Sequence, residues 1–351
     1  MSISFSLSQL GWKPFFQQQL NLNELSSSVP ARVFEQHRSE YLLATESGMQ
    51  RLNITANMPK MAVGDWLLIN TQDTGESSFI KQLEPATLFS RKAVGTRAEL
   101  QLIAANVDTV FIVCSLNSNF NLSRIERYLA LANEAKVDPV VVLSKADTCD
   151  DVPHYQQQVQ RLDPLLMVEA VNALDTNDVA KLAAWCKQGQ TVAFMGSSGV
   201  GKSTLINTLL GEATSQTGAI RESDSKGRHT TTARSMHLMA EGGLLLDTPG
   251  MRELQLSDCE EGVNATFNDI TELAEQCKFA NCQHNSEPGC QVRLAIDQGE
   301  LDERRLVNYQ KLMREQQFNA ASIAERRASD KEFGKMVKSV QSGSRHRKQR
   351  G

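Results

Sequence analysis

The chain has 351 residues, 22% charged and 40% apolar, with 37 Lys and Arg against 41 Asp and Glu for a net charge of −4. That length exceeds one ordinary core, so two or three domains are expected, and the near-balanced charge excludes nucleic-acid binding through bulk attraction alone. No apolar stretch approaches membrane-spanning length and Met1 to Gln19 lacks the basic-then-apolar layout of a signal peptide. The expectation is a cytoplasmic protein without membrane contact, whose seven cysteines stay reduced.

Residues 1–28 are rich in Ser, Gln and Asn and read as a loosely held N-terminal extension with one anchor at Trp12 to Phe16. In 29–86, alternating runs at Ala31 to Phe34, Tyr41 to Ala44, Gln50 to Ile54, Asp65 to Ile69 and Ser78 to Lys81 are separated by turn-formers such as Glu46-Ser-Gly48 and Asp73-Thr-Gly75. Five short strands predict a small β-barrel of the OB type. Its sheet face is as consistent with plain structure as with RNA, because it carries no dense basic patch and no row of stacking aromatics.

The period changes in 87–256. Apolar runs at Val107 to Cys114, Val137 to Leu143, Leu165 to Val171, Thr191 to Met195 and Gly243 to Asp247 alternate with helical spacing, the pattern of a doubly wound α/β domain. Residues 257–320 read as a helical domain with a cysteine cluster, ending in an amphipathic helix from Leu301 to Phe318. The tail, 321–351, turns basic: from Arg326 to Arg350 nine Lys or Arg face two acids, net +7, which suits a phosphate backbone or a merely solvated end.

Within the α/β segment, Gly196-Ser197-Ser198-Gly199-Val200-Gly201-Lys202-Ser203 satisfies G-x-x-x-x-G-K-S between the apolar run Thr191 to Met195 and the helix-like run Leu205 to Leu210, with Thr204 a further candidate to bind the nucleotide. Such a loop closes backbone N–H groups around phosphate oxygens, adds the lysine cation and offers a hydroxyl to Mg2+. Asp247-Thr-Pro-Gly250 ends a later apolar run and supplies the D-x-x-G element: Asp247 for Mg2+ and the Gly250 amide for the terminal phosphate. The polar stretch between them ends in Gly227-Arg-His229-Thr-Thr231-Thr232, where Thr231, with Thr230 second, is the candidate to close over Mg2+ and the γ-phosphate.

Base choice is read from Ser144-Lys145-Ala146-Asp147 at a strand end. The Asp147 carboxylate can accept both N1–H and the exocyclic N2–H of guanine, and the Lys145 stem can pack along the purine. Asn172-Ala173 occupies the place of the Ser-Ala that usually meets the guanine oxygen. Ser144 stands where Asn is usual and Asn172 where Ser is usual, substitutions expected to loosen the hydrogen bonding between loops. The order is unusual, because the base-reading elements precede the phosphate loop; the same sheet has been cut and rejoined, a circular permutation.

Cys277-x4-Cys282-x-His284-x5-Cys290 gathers three thiols and an imidazole in fourteen residues, a set that suits either a closed tetrahedral zinc or three core cysteines beside an unrelated histidine. A catalytic zinc is disfavoured, since no coordination position remains for water.

With a five-strand barrel before, a Cys/His cluster after and the Gly-Arg-His-Thr-Thr-Thr stretch within, the chain resembles the circularly permuted GTPases, and among them the RsgA (YjeQ) family, over nearly all of its length past residue 30. The resemblance implies GTP hydrolysis to GDP with Mg2+, one structural zinc, and binding to the small ribosomal subunit and its rRNA during late assembly, with little activity away from the ribosome. A monomer is expected. After Gly250, Met251 stands where Ras-like enzymes place a water-orienting glutamine, so isolated turnover should be very slow, with His229 or rRNA supplying the missing part. Two other readings stay open: a P-loop ATPase or kinase, if Asp147 does not read the base, and an RNA-binding module with a vestigial nucleotide site.

Overall fold

The computed structural model describes residues 4–71, 77–92, 100–211, 234–239, 241–247, 251, 256 and 259–320. Two short helices, α1 (Pro14–Gln17) and α2 (Leu22–Ser27), precede five strands: β1 (Val29–Gln36), β2 (Glu40–Thr45), β3 (Gly48–Asn53), β4 (Trp66–Thr71) and β5 (Ser77–Gln82). β1 pairs antiparallel with β2 on one side and β4 on the other, β2 continues to β3, β4 to β5, and β3 lies against β5. That circuit is a partly open OB-type barrel, filled by Val33, Leu43, Leu52, Trp66 and Leu68.

The segment before the barrel is not loosely held. Leu10 and Phe16 are fully buried, and Trp12 meets Trp66 edge-on with ring centroids 4.8 Å apart. α2 is closed by a capping box in which Asn21 Oδ1 accepts from the Glu24 amide and a Glu24 carboxylate oxygen accepts from the Asn21 amide, each at 2.9 Å. Burying each large apolar side chain contributes about 1.5–3 kcal/mol, so three or four anchors suffice to order a stretch whose composition is polar. Beneath them, the Arg32 guanidinium is wholly buried and donates to three carbonyls from three segments: Leu10 at 2.7 Å, Asn106 at 2.9 Å and Gly64 at 3.2 Å. Burial without a directly bonded carboxylate pushes its pKa down to about 10.

A two-stranded ladder, β6 (Leu88–Lys92) and β7 (Leu100–Ala105), leads into the central domain. There β8 (Thr109–Ser115), β9 (Asp138–Ser144), β10 (Met167–Val171), β11 (Thr191–Met195), β12 (Arg234–Leu238) and β13 (Leu244–Asp247) lie in the order β10-β9-β8-β11-β13-β12. All pairs are parallel except β12 with β13. Every residue of β8 and of β11 is buried, as expected for central strands covered by helices on both faces. The helices are α3 (Leu122–Glu134), α4 (Val152–Gln160), α5 (Thr176–Val179) and α6 (Lys202–Leu210). The chain runs outward from β8 to β10, returns to β11 beside β8, and continues on the other side. The reversal falls between β8 and β11, and such sheets bind ligands at the carboxyl ends of the strands where the order reverses. β12 also pairs with β1, Glu35 opposite Ser235, which makes the barrel and this sheet continuous.

The last part comprises α7 (Glu260–Thr266), α8 (Asn268–Glu275), α9 (Gln291–Asp297) and α10 (Glu303–Ala320). It is seated on α3. A Cβ at Gly262 would stand 2.2 Å from the Ala130 carbonyl oxygen, so only glycine allows α7 to cross so closely. Glu126 of α3 is completely buried and accepts from Asn308 at 2.6 Å, Arg304 at 2.9 and 3.1 Å and Arg305 at 3.0 Å, all on α10. One residue further along α3, Arg127 forms a bidentate pair with Glu315.

Candidate active site and metal centre

The phosphate loop follows from β11. Gly196 turns the chain at φ +148°, and a Cβ there would lie 2.5 Å from the Val113 carbonyl oxygen, so the loop can leave the sheet this tightly only at glycine. Ser198 and Gly199 form its exposed tip while Val200 is buried against the domain. Gly201 is the N-cap of α6, placing Lys202, Ser203 and Thr204 in a first turn whose free N–H groups and dipole favour an anion. The Lys202 ammonium is buried and donates to the carbonyls of Gly196 at 2.8 Å and Ser197 at 2.5 Å, which holds it across the mouth of the loop.

The base-reading elements come to this loop from β9 and β10. Ser144 Oγ donates to the Val200 carbonyl at 2.5 Å. Lys145, in a left-handed conformation at φ +60°, starts the short 3-10 turn Ala146–Thr148 and sends Nζ to the Gly199 carbonyl at 3.1 Å. Asp147 sits exposed on that turn. Asn172 Oδ1 accepts from the Leu174 amide at 3.0 Å, its own N–H donates to Asp178 at 2.6 Å, and the Ala173 carbonyl accepts from Thr208 of α6 at 2.8 Å. The Lys181 ammonium and the Asn172 N–H hold the Asp178 carboxyl below its ordinary range. The expected loosening is therefore not seen at Ser144: a short hydroxyl reaches the phosphate loop directly. Asn172 spends its side chain within its own turn.

Asp247 ends β13 and shares a sheet face with Leu245, which packs with Leu205 and Ile206 of α6. Thr231, Thr230, His229 and Gly250 lie outside the described residues, as does the tail 321–351. Met251 is described, and it is 1% exposed in the apolar core that continues to Leu256 and the C-terminal helices. A thioether so placed positions no water.

Two site-side residues escaped sequence reasoning. Arg124, in the first turn of α3, donates from Nη1 to Ser197 Oγ at 3.1 Å, and its backbone is fixed by the cap from Asn121. His237 on β12 bonds Ser235 Oγ at 2.9 Å; burial pushes its imidazole pKa down, partly opposed by the charges of Asp247 and Glu35. Both depend on pairing between distant segments, so no local pattern marks either.

Cys277, Cys282, His284 and Cys290 bring their donor atoms within 4.8 Å of one another. Cys277 and Cys290 Sγ are 3.9 Å apart, and His284 Nδ1 stands 3.7 and 3.5 Å from them. Ligands bonded at about 2.0–2.3 Å to a tetrahedral ion are separated by about 3.3–3.8 Å; Cys277, His284 and Cys290 are spaced close to this, with Cys282 within 4.8 Å as a fourth donor. The supporting shell is built too. Arg293 Nε donates to the His284 carbonyl at 2.8 Å, and Glu287 accepts the amides of Gln283, Asn285 and Ser286, bonds that drop its pKa to about 2.

Comparison with known proteins gives a consistent picture. A family model described as RsgA GTPase matches residues 75–257. The small ribosomal subunit biogenesis GTPase RsgA 2 of Vibrio parahaemolyticus serotype O3:K6 is 59% identical over 349 residues, 99% of this chain and 96% of that protein. Its namesake in Vibrio vulnificus strain CMCP6 is 58% identical over 96% of each chain. Among solved structures, YloQ, described as a circularly permuted GTPase, superimposes with a TM-score of 0.61 over 82% of this chain and 94% of its own, at 23% identity, a likeness of fold.

Proposed function

The chain belongs to the RsgA GTPase family and is a GTP hydrolase, and from that premise we propose that it acts in maturation of the small ribosomal subunit, in the cytoplasm, as a monomer that binds rRNA. The observation that carries the nucleotide part is the joining of the base-reading turn to the phosphate loop, Ser144 to Val200 and Lys145 to Gly199, which lets one purine nucleotide span both. Loop amides from Ser197 to Thr204 and Lys202 bind the phosphates, Ser203 and Asp247 would hold Mg2+, and Asp147 reads guanine, with Asn172 and Ala173 closing the far side. When bound, Mg2+ would supply charge neutralisation on the phosphates. Thr231 and the Gly250 amide take the terminal phosphate, and His229 completes the water-positioning function that Met251 lacks.

We assign zinc to the Cys277, Cys282, His284 and Cys290 cluster, as a folding element rather than a reaction centre: three thiolates and an imidazole saturate it. The nucleotide sets the pose of the helical domain 257–320 against the central domain 87–256, and hence whether the barrel, 29–86, and the basic tail, 321–351, grip rRNA together. The test is GTP turnover with and without purified small subunits, beside a Lys202→Ala control. Strong stimulation by small subunits, lost in the control, is expected; turnover indifferent to them would overturn the ribosomal assignment.

A further inference from the structure

Arg124 is absorbed by none of the motifs, yet it reaches the phosphate loop. Lys202 marks which end of the loop it touches: in a loop of this type the lysine ammonium serves the β- and γ-phosphates, and here it stands 2.5 Å from the Ser197 carbonyl oxygen. Arg124 Nη1 is 3.1 Å from Oγ of the same residue. Ser197 is thus held by two cations, one on its carbonyl and one on its hydroxyl, at the terminal-phosphate end of the cradle. Arg124 is only half-buried, and its fork carries five N–H donors, of which, among the described residues, the Ser197 hydroxyl and, at 3.5 Å, the Asn119 carbonyl engage Nη1. Its backbone cannot drift, because the Asn121 cap pins its amide at 2.9 Å and the first turn of α3 is clamped to α10 through Ser123 and Glu126.

We propose that Arg124 is a second terminal-phosphate determinant, a positioning residue that fixes Ser197 and places a guanidinium beside the γ-phosphate, so that the site distinguishes guanosine triphosphate from diphosphate more sharply than Lys202 alone would. This rests on the nucleotide reading above. A guanidinium is suited to the task because it stays charged at every working pH and presents donors in a fixed plane. Arg124 stands on the same helix that seats the C-terminal helices, so the γ-phosphate is sensed at the foot of α3.

The test is equilibrium binding of fluorescent GDP and of a non-hydrolysable GTP analogue, with Mg2+, to the full chain and to Arg124→Gln and Arg124→Lys. Arg124→Gln keeps a hydrogen-bond donor and loses the charge; a charge-assisted hydrogen bond accounts for roughly tenfold in affinity. The analogue should therefore bind about tenfold more weakly while GDP changes less than about twofold, and Arg124→Lys should fall between the two proteins. Equal weakening of both nucleotides would reduce Arg124 to a loop support, and no weakening of either would remove it from the site; each result overturns the proposal. Failure of the unmodified chain to bind guanine nucleotide at all would instead strike the underlying reading.

Discussion

Replacing Glu126 by Gln should partly undock the C-terminal helices from the central domain. The carboxylate is fully buried on α3 and receives four hydrogen bonds from Arg304, Arg305 and Asn308 of α10. The substituted amide would keep the shape, but one of its two acceptor positions becomes an NH2 facing guanidinium donors. Arg305 retains Asp269 at 2.6 and 2.9 Å, whereas Arg304 is left with the Ser123 hydroxyl at 3.3 Å and Asp302, 61% exposed, at 3.4 Å. Breaking a buried ionic network from one side costs about 3–5 kcal/mol; because Arg304 is a third exposed and Arg305 stays paired, the lower end, about 3 kcal/mol, applies. That corresponds to roughly a hundredfold rise in the fraction of molecules with α10 detached. Hydrogen exchange of the amides in 303–320 reads this directly: protection should fall by about that factor while β8 and β11 keep theirs. Equal protection of α10 in both proteins would refute the claim that Glu126 fastens α10 to the central domain.

Asp147→Asn should shift preference from guanine towards xanthine nucleotides in competition binding, since an amide presents a donor where guanine also has one; unchanged preference would remove Asp147 from the base site. Chelation should release about one zinc per chain and lower the melting temperature, with loss of protection in 277–298, because the segment between α8 and α9 is too short to hold a core of its own. Asp65 gives a pH signature. Burial raises its carboxyl pKa to about 7, against hydrogen bonds from Ala62 and Gln82 and the charge of Arg32, while its Oδ1 has no partner among the described residues. The folded state then binds the proton more tightly than the unfolded one, so the contribution is full below about pH 4 and is lost as pH rises through about 7. Denaturant unfolding of Asp65→Asn against the parent should show less decline in stability between about pH 5 and 8; identical slopes would contradict the assignment.

The barrel strands, the central strands and both chemical clusters are legible in the sequence, because each follows from local spacing: alternation for β1 to β5, continuous apolar runs for β8, β9 and β11, and fixed offsets from Gly196 to Ser203 and Cys277 to Cys290. What escapes is what two remote segments make together. The anchor at Trp12 to Phe16 is legible, but that its seat is Trp66, and that Leu10 is buried with it, follows only from the fold. Arg32 is one polar position in the run Ala31 to Phe34, and only the fold brings the carbonyls of Leu10, Gly64 and Asn106 around it. Arg124 and Glu126 are ordinary polar helix residues until Ser197 and α10 are folded against them. The tightening by Ser144, where loosening is expected, has the same origin, since its value depends on Val200, 56 positions away.

The central claim is that the nucleotide held by the joined loops governs engagement of the small subunit. Its most direct measurement is the affinity of the full chain for purified small subunits in the GDP form and in the form bound to a non-hydrolysable GTP analogue. Clearly tighter binding in the triphosphate form is the predicted result; equal affinity in the two forms would contradict it.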